Sequence, residues 1–330
     1  MSLPPVLLTN PIDPEVARQL ATHFDLRIAN ATDAASLKSA STDAHFIVVR
    51  APLPEDLFAV APQLRGVVRH GAGLDMIPVD VASRHGVAVA NVPAVNALSV
   101  AEYVVGQMLN LARHLAHIDA TLRNTSWAAA RQMADDASDL QGKTVAIVGM
   151  GAIGQALARI CALGFGMRVL GIRRSAAPDT ELLHYVSLAQ ALPQADYLVV
   201  ACPLTENTRR MIGAAELASM KPGARLINVA RGPVVDEAAL AMALRSDALA
   251  GAALDVFSTQ PLPTSSPLLS LPNVLLSPHL AGITQESMRR MSDGVASQLL
   301  EMQDGRLPRH FVNPEAQEAI LARWSNLSPS

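Results

Sequence analysis

The sequence contains few cysteines, and the two that it has are not arranged for a structural role. Cys161 and Cys202 are far apart in the chain and show none of the spacings that metal sites use. We therefore predict neither a disulfide framework nor a bound metal. Free thiols of this kind are typical of a reducing compartment, so we expect the protein in the cytoplasm.

Charged residues and long apolar runs are also scarce. Only 17% of the 330 residues are charged and the formal net charge is −3, which gives no reason to expect nucleic acid or an anionic membrane as a partner. No apolar run approaches the length of about 18 residues that predicts a membrane span. Apolar residues still make up 50% of the chain, so its length predicts two domains with large cores.

The most informative segment is a glycine-rich turn between a predicted strand and a predicted helix. An apolar strand at 144–148 runs into Gly149, Gly151 and Gly154, and a helical pattern follows. In this context a GxGxxG turn is typical of a dinucleotide-binding βα unit. The first glycine permits the tight turn, the second admits a pyrophosphate, and the third lets the helix pack closely. A second apolar strand at 168–172 agrees with this interpretation.

The residues after that second strand predict which nucleotide binds. An acidic residue at this position usually contacts the ribose hydroxyls of NAD. This chain has Arg173, Arg174 and Ser175 instead. Because guanidinium groups match the geometry of phosphate, we predict a preference for NADP(H), with NAD(H) possible. The alternative is a solvated basic turn without a ligand.

Strand and helix patterns alternate along the chain, which predicts an α/β fold of two Rossmann-like, doubly wound domains. Candidate hinges at 91–96 and 282–285 divide it into a discontinuous substrate domain, 1–95 plus 285–330, and a dinucleotide-binding domain, 96–284. We expect the active site in the cleft between them. Strands are predicted at 6–8, 45–49, 66–69, 87–91, 144–148, 168–172, 197–200, 225–229, 251–254 and 274–276.

Two predictions concern the segment between the predicted strands at 87–91 and 144–148. An amphipathic pattern predicts a long helix over 96–115. The polar segment 125–140 has no clear period, and we expect its Trp127 to pack in or against the protein.

Three segments that follow predicted strands contain the candidate catalytic residues. Arg231 follows the strand at 225–229, Gln260 follows 251–254, and His279 follows 274–276. Since the carboxyl ends of parallel strands line the ligand crevice, Arg231 is placed to bind a substrate carboxylate and polarise its carbonyl. His279 would perform acid–base chemistry, oriented by Gln260. The alternatives are a surface salt bridge, a structural histidine and an ordinary loop residue.

The order of these motifs resembles the D-isomer-specific 2-hydroxyacid dehydrogenase family. The matching segments are Gly71-Ala-Gly-Leu-Asp75, Asn96–Tyr103, the GxGxxG turn, Cys202-Pro-Leu-Thr, Met220–Gly232, Ala253–Phe257 and Ser277-Pro-His279. The resemblance covers nearly the whole chain. It implies an NAD(P)-dependent enzyme, homodimeric through its cofactor domains, that transfers hydride between nicotinamide and a small 2-oxo or 2-hydroxy acid. Glyoxylate and hydroxypyruvate are the first candidate substrates.

The resemblance also implies roles for individual residues. Arg231 would bind the substrate, and His279 would exchange the proton of its carbonyl oxygen. The amides of Ala72 and Gly73 would hold the carboxylate, with Arg50 as a weaker candidate in the same pocket. Cofactor contacts are implied for Gly149, Gly151, Ala152, Ile153, Gly154, Arg173, Arg174, Ser175, Cys202, Pro203, Val229, Ala230, Asp255 and Gly282.

One position departs from the family pattern. Most members have a glutamate where this chain has Gln260. A glutamate would stabilise the imidazolium of His279, whereas a neutral amide only fixes its tautomer. We therefore expect His279 to titrate near its unperturbed pKa of about 6.5, so that reduction of an oxo acid weakens above that pH.

Two other functions are compatible with the sequence. The Gln–His pair also occurs in formate dehydrogenases of this superfamily, and Asn96 matches their formate-contacting asparagine. Their long N-terminal extension is missing here. The second alternative is a dinucleotide-sensing protein without catalysis, like the corepressors that share this fold. Turnover would separate an enzyme from such a sensor.

Overall fold

Two units divide the chain in the computed structural model, which describes residues 3–175 and 177–327. Unit 1 joins Met1–Asn96 to Thr284–Ser330, and unit 2 is the continuous segment Ala97–Ile283. Each unit has its own parallel sheet. None of the described helices is both long and apolar enough to span a bilayer.

Unit 1 contains one five-stranded parallel sheet in the order β2-β1-β3-β4-β5. Its central strands are apolar runs buried on both faces, which is typical of a parallel sheet covered by helices on each side. The strands are β1 (Pro5–Leu8), β2 (Asp25–Ile28), β3 (Phe46–Val49), β4 (Gly66–Arg69) and β5 (Ala88–Ala90). The helices, numbered in chain order, are α1 (Pro14–Leu20), α2 (Ala34–Ser41), α3 (Leu57–Val60), α4 (Val79–Arg84), α12 (Gln285–Gln303) and α13 (Gln317–Leu327).

Unit 2 contains a seven-stranded parallel sheet in the order β12-β11-β10-β9-β6-β7-β8. This is the order of a doubly wound nucleotide-binding sheet, in which the winding reverses between β6 and β9. The strands are β6 (Thr144–Val148), β7 (Arg168–Ile172), β8 (His184–Tyr185), β9 (Tyr197–Val200), β10 (Ala224–Asn228), β11 (Leu249–Leu254) and β12 (Val274–Leu276). The helices are α5 (Ala97–Arg113), α6 (Leu115–Asn124), α7 (Trp127–Gln132), α8 (Ala152–Arg159, continued by a π-helical turn), α9 (Leu188–Ala191), α10 (Ala214–Ala218) and α11 (Glu237–Arg245).

The carboxyl-terminal part of the chain completes unit 1 by pairing with β5. The amide of Val312 donates to the Val89 carbonyl at 2.9 Å. Asn313 is fully buried, accepts a hydrogen bond from the Val89 amide at 2.9 Å and donates one to the Val87 carbonyl at 3.1 Å. These bonds satisfy the free edge of β5, which explains why residues so distant in the chain belong to one unit.

The predicted α/β class with parallel sheets is confirmed, and every predicted strand is present with bounds that agree to within two residues. The sequence pattern missed β2, β8 and α13. Strand β2 lies at the sheet edge with mostly exposed side chains, and β8 has only two residues, so neither shows a continuous apolar run. Helix α13 buries only Ile320 and Trp324.

The segment that follows Asn96 differs from its prediction in two respects. Helix α5 ends at Arg113 because His114 adopts a left-handed backbone conformation, and α6 begins at the next residue. The expectation that Trp127 packs in or against the protein is wrong for the single chain, since its side chain is 75% exposed. Trp127 begins α7 after the cap residue Ser126, and the preceding helix α6 has no buried residue, so the chain provides little apolar surface there.

Candidate active site

The glycine turn after β6 is built from close backbone contacts that exclude side chains. Gly149 has a φ of +103°, and a Cβ there would lie 2.6 Å from the amide nitrogen of Cys202. A Cβ on Gly154 would overlap the carbonyl oxygen of Gly149. The first and third glycines of the motif therefore let α8 and the end of β9 pack directly on the turn.

The second glycine of the motif faces open space. Apart from Gly151 itself and its two neighbours in the chain, no described residue comes within 4 Å of the position that a Cβ on Gly151 would occupy. Gly151 is the N-cap of α8, which begins with Ala152 and Ile153. Within the described residues, no side chain accepts a hydrogen bond from the amides at this end of the helix. An uncapped helix amino terminus beside open space fits the negative pyrophosphate of a dinucleotide.

The end of β7 presents cationic and hydroxyl groups without a carboxylate. Arg173 follows the strand directly, and Arg174 and Ser175 are exposed. The guanidinium carbon of Arg173 lies 5.8 Å from the centroid of the Tyr185 ring. Neither arginine has a hydrogen-bond or ion-pair partner within residues 3–175 and 177–327, so their donors are available to an anion.

The other residues that we expected near the cofactor follow neighbouring strands. Cys202 and Pro203 follow β9, Val229 and Ala230 follow β10, and Gly282 lies beyond β12. Because these strands are parallel, the residues lie at the same edge of the sheet as the glycine turn. Burial raises the pKa of the Cys202 thiol, so this side chain stays neutral.

A buried amide side chain holds the turn after β10. Asn228 accepts a hydrogen bond from the Ala230 amide at 3.0 Å and donates one to the Arg231 carbonyl at 3.1 Å. The Arg231 guanidinium donates to the Ala230 carbonyl at 2.7 Å. A Cβ on Gly232 would overlap the backbone of Phe257, so the turn that carries Arg231 contacts the loop after β11.

A buried carboxylate organises the loop after β12. Asp255, 2% exposed, accepts hydrogen bonds from the amides of Leu280 at 2.8 Å and Ala281 at 2.9 Å and from the Ser277 hydroxyl at 2.6 Å. Its backbone carbonyl accepts from the His279 amide at 2.8 Å. A buried carboxylate is stable only with such donors, so Asp255 fixes the loop that carries His279.

Helix α5 adds a further contact to this loop. The Tyr103 hydroxyl lies 2.5 Å from the Ser277 hydroxyl. Burial raises the pKa of Tyr103, so the phenol stays protonated and donates to Ser277, which in turn donates to Asp255. His279 has a φ of +56°, a conformation that costs a residue with a side chain about 1–2 kcal/mol. The hydrogen bonds around Asp255 offset that cost.

The ring of His279 is oriented by a neutral amide. Its Nδ1 lies 3.1 Å from Gln260 Oε1, and Gln260 Nε2 lies 3.4 Å from the Phe257 carbonyl oxygen. Since only the amide nitrogen can donate to that carbonyl, Gln260 presents its oxygen to the imidazole. The neutral imidazole therefore carries its proton on Nδ1, and its Nε2 is the unprotonated nitrogen.

In unit 1 the carbonyl groups of the loop after β4 accept hydrogen bonds from side chains of the same unit. Arg69 donates to the Gly73 carbonyl at 3.1 Å and to the His70 carbonyl at 2.5 Å, and Asn91 donates to the Ala72 carbonyl at 2.7 Å. The amides of Ala72 and Gly73 donate to no acceptor in the described part of the chain. Two adjacent amides of this kind suit an anion such as a carboxylate.

The charge near this loop comes from arginine rather than histidine. Burial, together with the positive charges of Arg50 and Arg69, lowers the pKa of His70 to about 3, so its ring is neutral. His70 Nε2 lies 2.9 Å from the Ser292 hydroxyl on α12. Arg50 follows β3, and its guanidinium donates to the Pro11 carbonyl.

Sequence reasoning did not identify the residues that support these loops, which are Asn228, Ser277, Tyr103, Arg69 and Asn91. Each of these residues lies in or beside a motif named in the sequence analysis. Only this position could have indicated that they support the site. Their partners are mostly backbone groups or residues far away in the chain, and the sequence pattern does not reveal such contacts.

An arginine after β10 and a histidine after β12, in the same sheet as a glycine turn that fits a dinucleotide, are typical of a nucleotide-dependent oxidoreductase. Residues 105–281 match the family described as D-isomer specific 2-hydroxyacid dehydrogenase, NAD binding domain. The glyoxylate reductase of Korarchaeum cryptofilum is 36% identical over 321 residues, which cover 94% of this chain and 96% of that protein. The chain therefore belongs to the D-isomer specific 2-hydroxyacid dehydrogenase family and is an NAD(P)-dependent oxidoreductase, as the sequence predicted.

Two solved structures are similar over nearly the same range. The NADPH-dependent glyoxylate/hydroxypyruvate reductase from Sinorhizobium meliloti, in complex with NADP and malonate, has a TM-score of 0.82 at 33% identity, covering 94% of this chain and 97% of that one. The NAD-dependent formate dehydrogenase from Staphylococcus aureus, in complex with NAD, has a TM-score of 0.83 at 26% identity, with coverages of 94% and 99%. The family uses a nicotinamide dinucleotide, and these two relatives differ in which one.

The open space beside Gly151 leads to a test of where the dinucleotide binds. Gly151→Ala should fold normally but weaken binding of NADP+ roughly tenfold, about the value of one hydrogen bond to a charged group. Gly164→Ala, at the other end of the same helical segment, is the matched control because its Cβ also meets no protein atom. Calorimetric titration gives both dissociation constants. Equal affinities in the two variants would contradict this position for the pyrophosphate.

Proposed function

We propose that the protein reduces a small 2-oxo acid to the corresponding 2-hydroxy acid with NADPH, with glyoxylate or hydroxypyruvate as substrate. The observation that carries the proposal is the hydrogen bond between His279 and Gln260. This bond orients the imidazole of His279, which lies after β12 at the carboxyl edge of the unit 2 sheet. The names of its relatives, glyoxylate reductase and glyoxylate/hydroxypyruvate reductase, support this substrate class.

Each step of the reaction has a residue suited to it. Arg231 binds the carboxylate and polarises the adjacent carbonyl, and the amides of Ala72 and Gly73 are suited to a carboxylate as well. When bound, the nicotinamide ring supplies or accepts the hydride. Protonated His279 gives its Nε2 proton to the carbonyl oxygen during reduction, and the neutral ring removes it during oxidation.

The preference for NADPH is supported by the groups at the end of β7. Arg173, Arg174 and Ser175 offer donors to a 2′-phosphate, and no carboxylate stands there to repel it. The similar reductase from Sinorhizobium meliloti is named as NADPH-dependent.

A turnover assay tests the function directly. We expect glyoxylate or hydroxypyruvate to be reduced faster with NADPH than with NADH. His279→Gln should lower kcat by roughly 10²- to 10⁴-fold, the usual contribution of a general acid, and leave the dissociation constant of NADP+ near the wild-type value. His23→Gln, an exposed histidine in unit 1, is the control. No reduction of either acid, or full activity in His279→Gln, would contradict the proposal.

Formate oxidation is the second candidate function. A formate dehydrogenase is among the similar structures, and the Gln260–His279 pair is compatible with this reaction too, because a reaction that releases CO2 needs no proton donor. The same assay run with formate and NADP+ or NAD+ separates the two functions. A protein that binds dinucleotide tightly but turns over neither class of substrate would be a sensor instead.

The neutral amide beside His279 leads to a prediction about pH. Reduction requires the protonated imidazole, so activity falls as the pH rises through the pKa of His279. In Gln260→Glu the new carboxylate stabilises the imidazolium and raises that pKa, so the fall should move to higher pH. The pH dependence of kcat/KM for wild type, Gln260→Glu and Gln260→Asn checks this. An unmoved profile in Gln260→Glu would show that this pair does not control the proton donor.

We also propose that the protein is a homodimer formed through unit 2. Leu98, Leu115, Leu122 and Trp127 lie on the successive helices α5–α7 and are between 43% and 75% exposed. Large apolar side chains exposed together are typical of a protein–protein interface. The family resemblance implies the same arrangement.

The dimer can be tested by light scattering after size-exclusion chromatography. Wild type should have about twice the chain mass of 34.8 kDa, whereas Trp127→Asp and Leu115→Asp should shift the mass toward that of one chain. Leu321→Asp is the control, since Leu321 is an exposed leucine on α13 of unit 1. A dimer that survives both unit 2 substitutions would contradict this interface.

A further inference from the structure

We propose that Tyr185 determines cofactor specificity: its ring positions the guanidinium of Arg173 for the 2′-phosphate of NADP(H). This inference rests on the proposed preference for NADPH and names a residue outside the motifs that suggested it. Arg173 is the group that would touch the phosphate, and Tyr185 acts through it as a positioning residue.

The register of the sheet brings the two side chains together. Tyr185 on β8 is paired with Gly171 on β7, and a Cβ on Gly171 would lie 3.2 Å from Tyr185 Cδ1. The same Cβ would lie 2.8 Å from Leu183 Cδ1, so the absence of a side chain at Gly171 leaves room for both Leu183 and the ring. Arg173 lies two residues further along and shares the face of Gly171, because side chains alternate along a strand. Its guanidinium carbon, 5.8 Å from the ring centroid, is within the range of a cation–π contact.

This face of the sheet is the one on which the glycine turn and α8 lie. Ile147 on β6 is the register partner of Gly171, and a Cβ on Gly154 of α8 would lie 3.3 Å from Ile147 Cγ2. Met150, within the glycine turn, also borders Gly171 at 3.2 Å from its Cβ position. Arg173 and Tyr185 thus lie on the side of the sheet where the pyrophosphate would bind.

The segment that carries Tyr185 is fixed by its own hydrogen bonds. The Tyr185 amide donates to Asp179 Oδ1 at 2.7 Å, and Asp179 Oδ2 lies 3.2 Å from Nδ1 of His184. The Thr180 amide donates to the Leu183 carbonyl at 2.9 Å, which closes the turn before β8. Asp179 therefore holds the backbone of Tyr185, and its carboxylate oxygens are engaged there rather than in an ion pair with Arg173.

A guanidinium held by a cation–π contact is well suited to phosphate recognition. The ring attracts the cation without accepting its N–H groups, which remain available for hydrogen bonds. Arg173 uses none of them within the described ranges. The ring reduces the number of conformations that this long side chain must give up when a phosphate binds, so it favours NADP(H) without affecting NAD(H).

Calorimetric titration with NADP+ and with NAD+ tests the proposal without relying on turnover. Tyr185→Leu keeps an apolar side chain over Gly171 but removes the ring, and Tyr185→Phe keeps the ring and serves as the matched control. We expect Tyr185→Leu to raise the dissociation constant of NADP+ by about 2- to 5-fold, the value of an exposed cation–π contact, and to leave that of NAD+ unchanged. Tyr185→Phe should resemble wild type.

A double-mutant cycle with Arg173→Gln shows whether the two residues act together. In the Arg173→Gln background, Tyr185→Leu should no longer change the ratio of the two dissociation constants. Equal loss of NADP+ and NAD+ binding, an unchanged ratio in the single variant, or an effect that persists without Arg173 would each overturn the role of Tyr185. A wild-type protein that binds both dinucleotides equally would overturn the proposed preference for NADPH itself, and this inference with it.

Discussion

Contacts between backbones, at positions where no side chain fits, place the functional loops of unit 2. Gly149 lies against the end of β9, Gly154 lies against Gly149, and Gly232 lies against Phe257. All of these contacts are at the carboxyl edge of the sheet, where parallel strands deliver their loops. Gly232 thus brings the turn that carries Arg231 against the backbone of the loop that carries Gln260.

Within this frame, a single buried carboxylate defines the conformation of the histidine loop. Asp255 receives two amides and one hydroxyl from the loop, and Tyr103 on α5 extends the chain of donors through Ser277. Hydrogen bonds to a buried charge are strong because the charge would otherwise be left without solvent. The left-handed conformation of His279 is therefore maintained by its surroundings and not by its own preference.

The sequence was sufficient for the fold class because the central strands of a parallel sheet are continuous apolar runs. Strand β2 is mostly exposed and β8 has only two residues, so neither shows that signal and both were missed. The candidate site residues could be named because each follows a predicted strand and belongs to a recognisable motif. The long-range contacts could not be predicted, because their partners are far apart in the chain. Tyr103 and Ser277, for example, are separated by 174 residues. The exposure of Trp127 was also missed, because a local pattern does not show which surface lies opposite a side chain.

The residues that we propose for cofactor choice and for acid–base chemistry lie at opposite ends of the unit 2 sheet. Arg173 and Tyr185 stand beside β7 and β8 at one end, whereas Arg231, Asp255 and His279 follow β10, β11 and β12 at the other. Strand β8 has a single neighbour and only two residues, so its sequence can change without disturbing the central strands. If the proposed roles are right, the choice of electron carrier can change in evolution separately from the acid–base chemistry, since substitutions at one end of the sheet leave the packing at the other end intact.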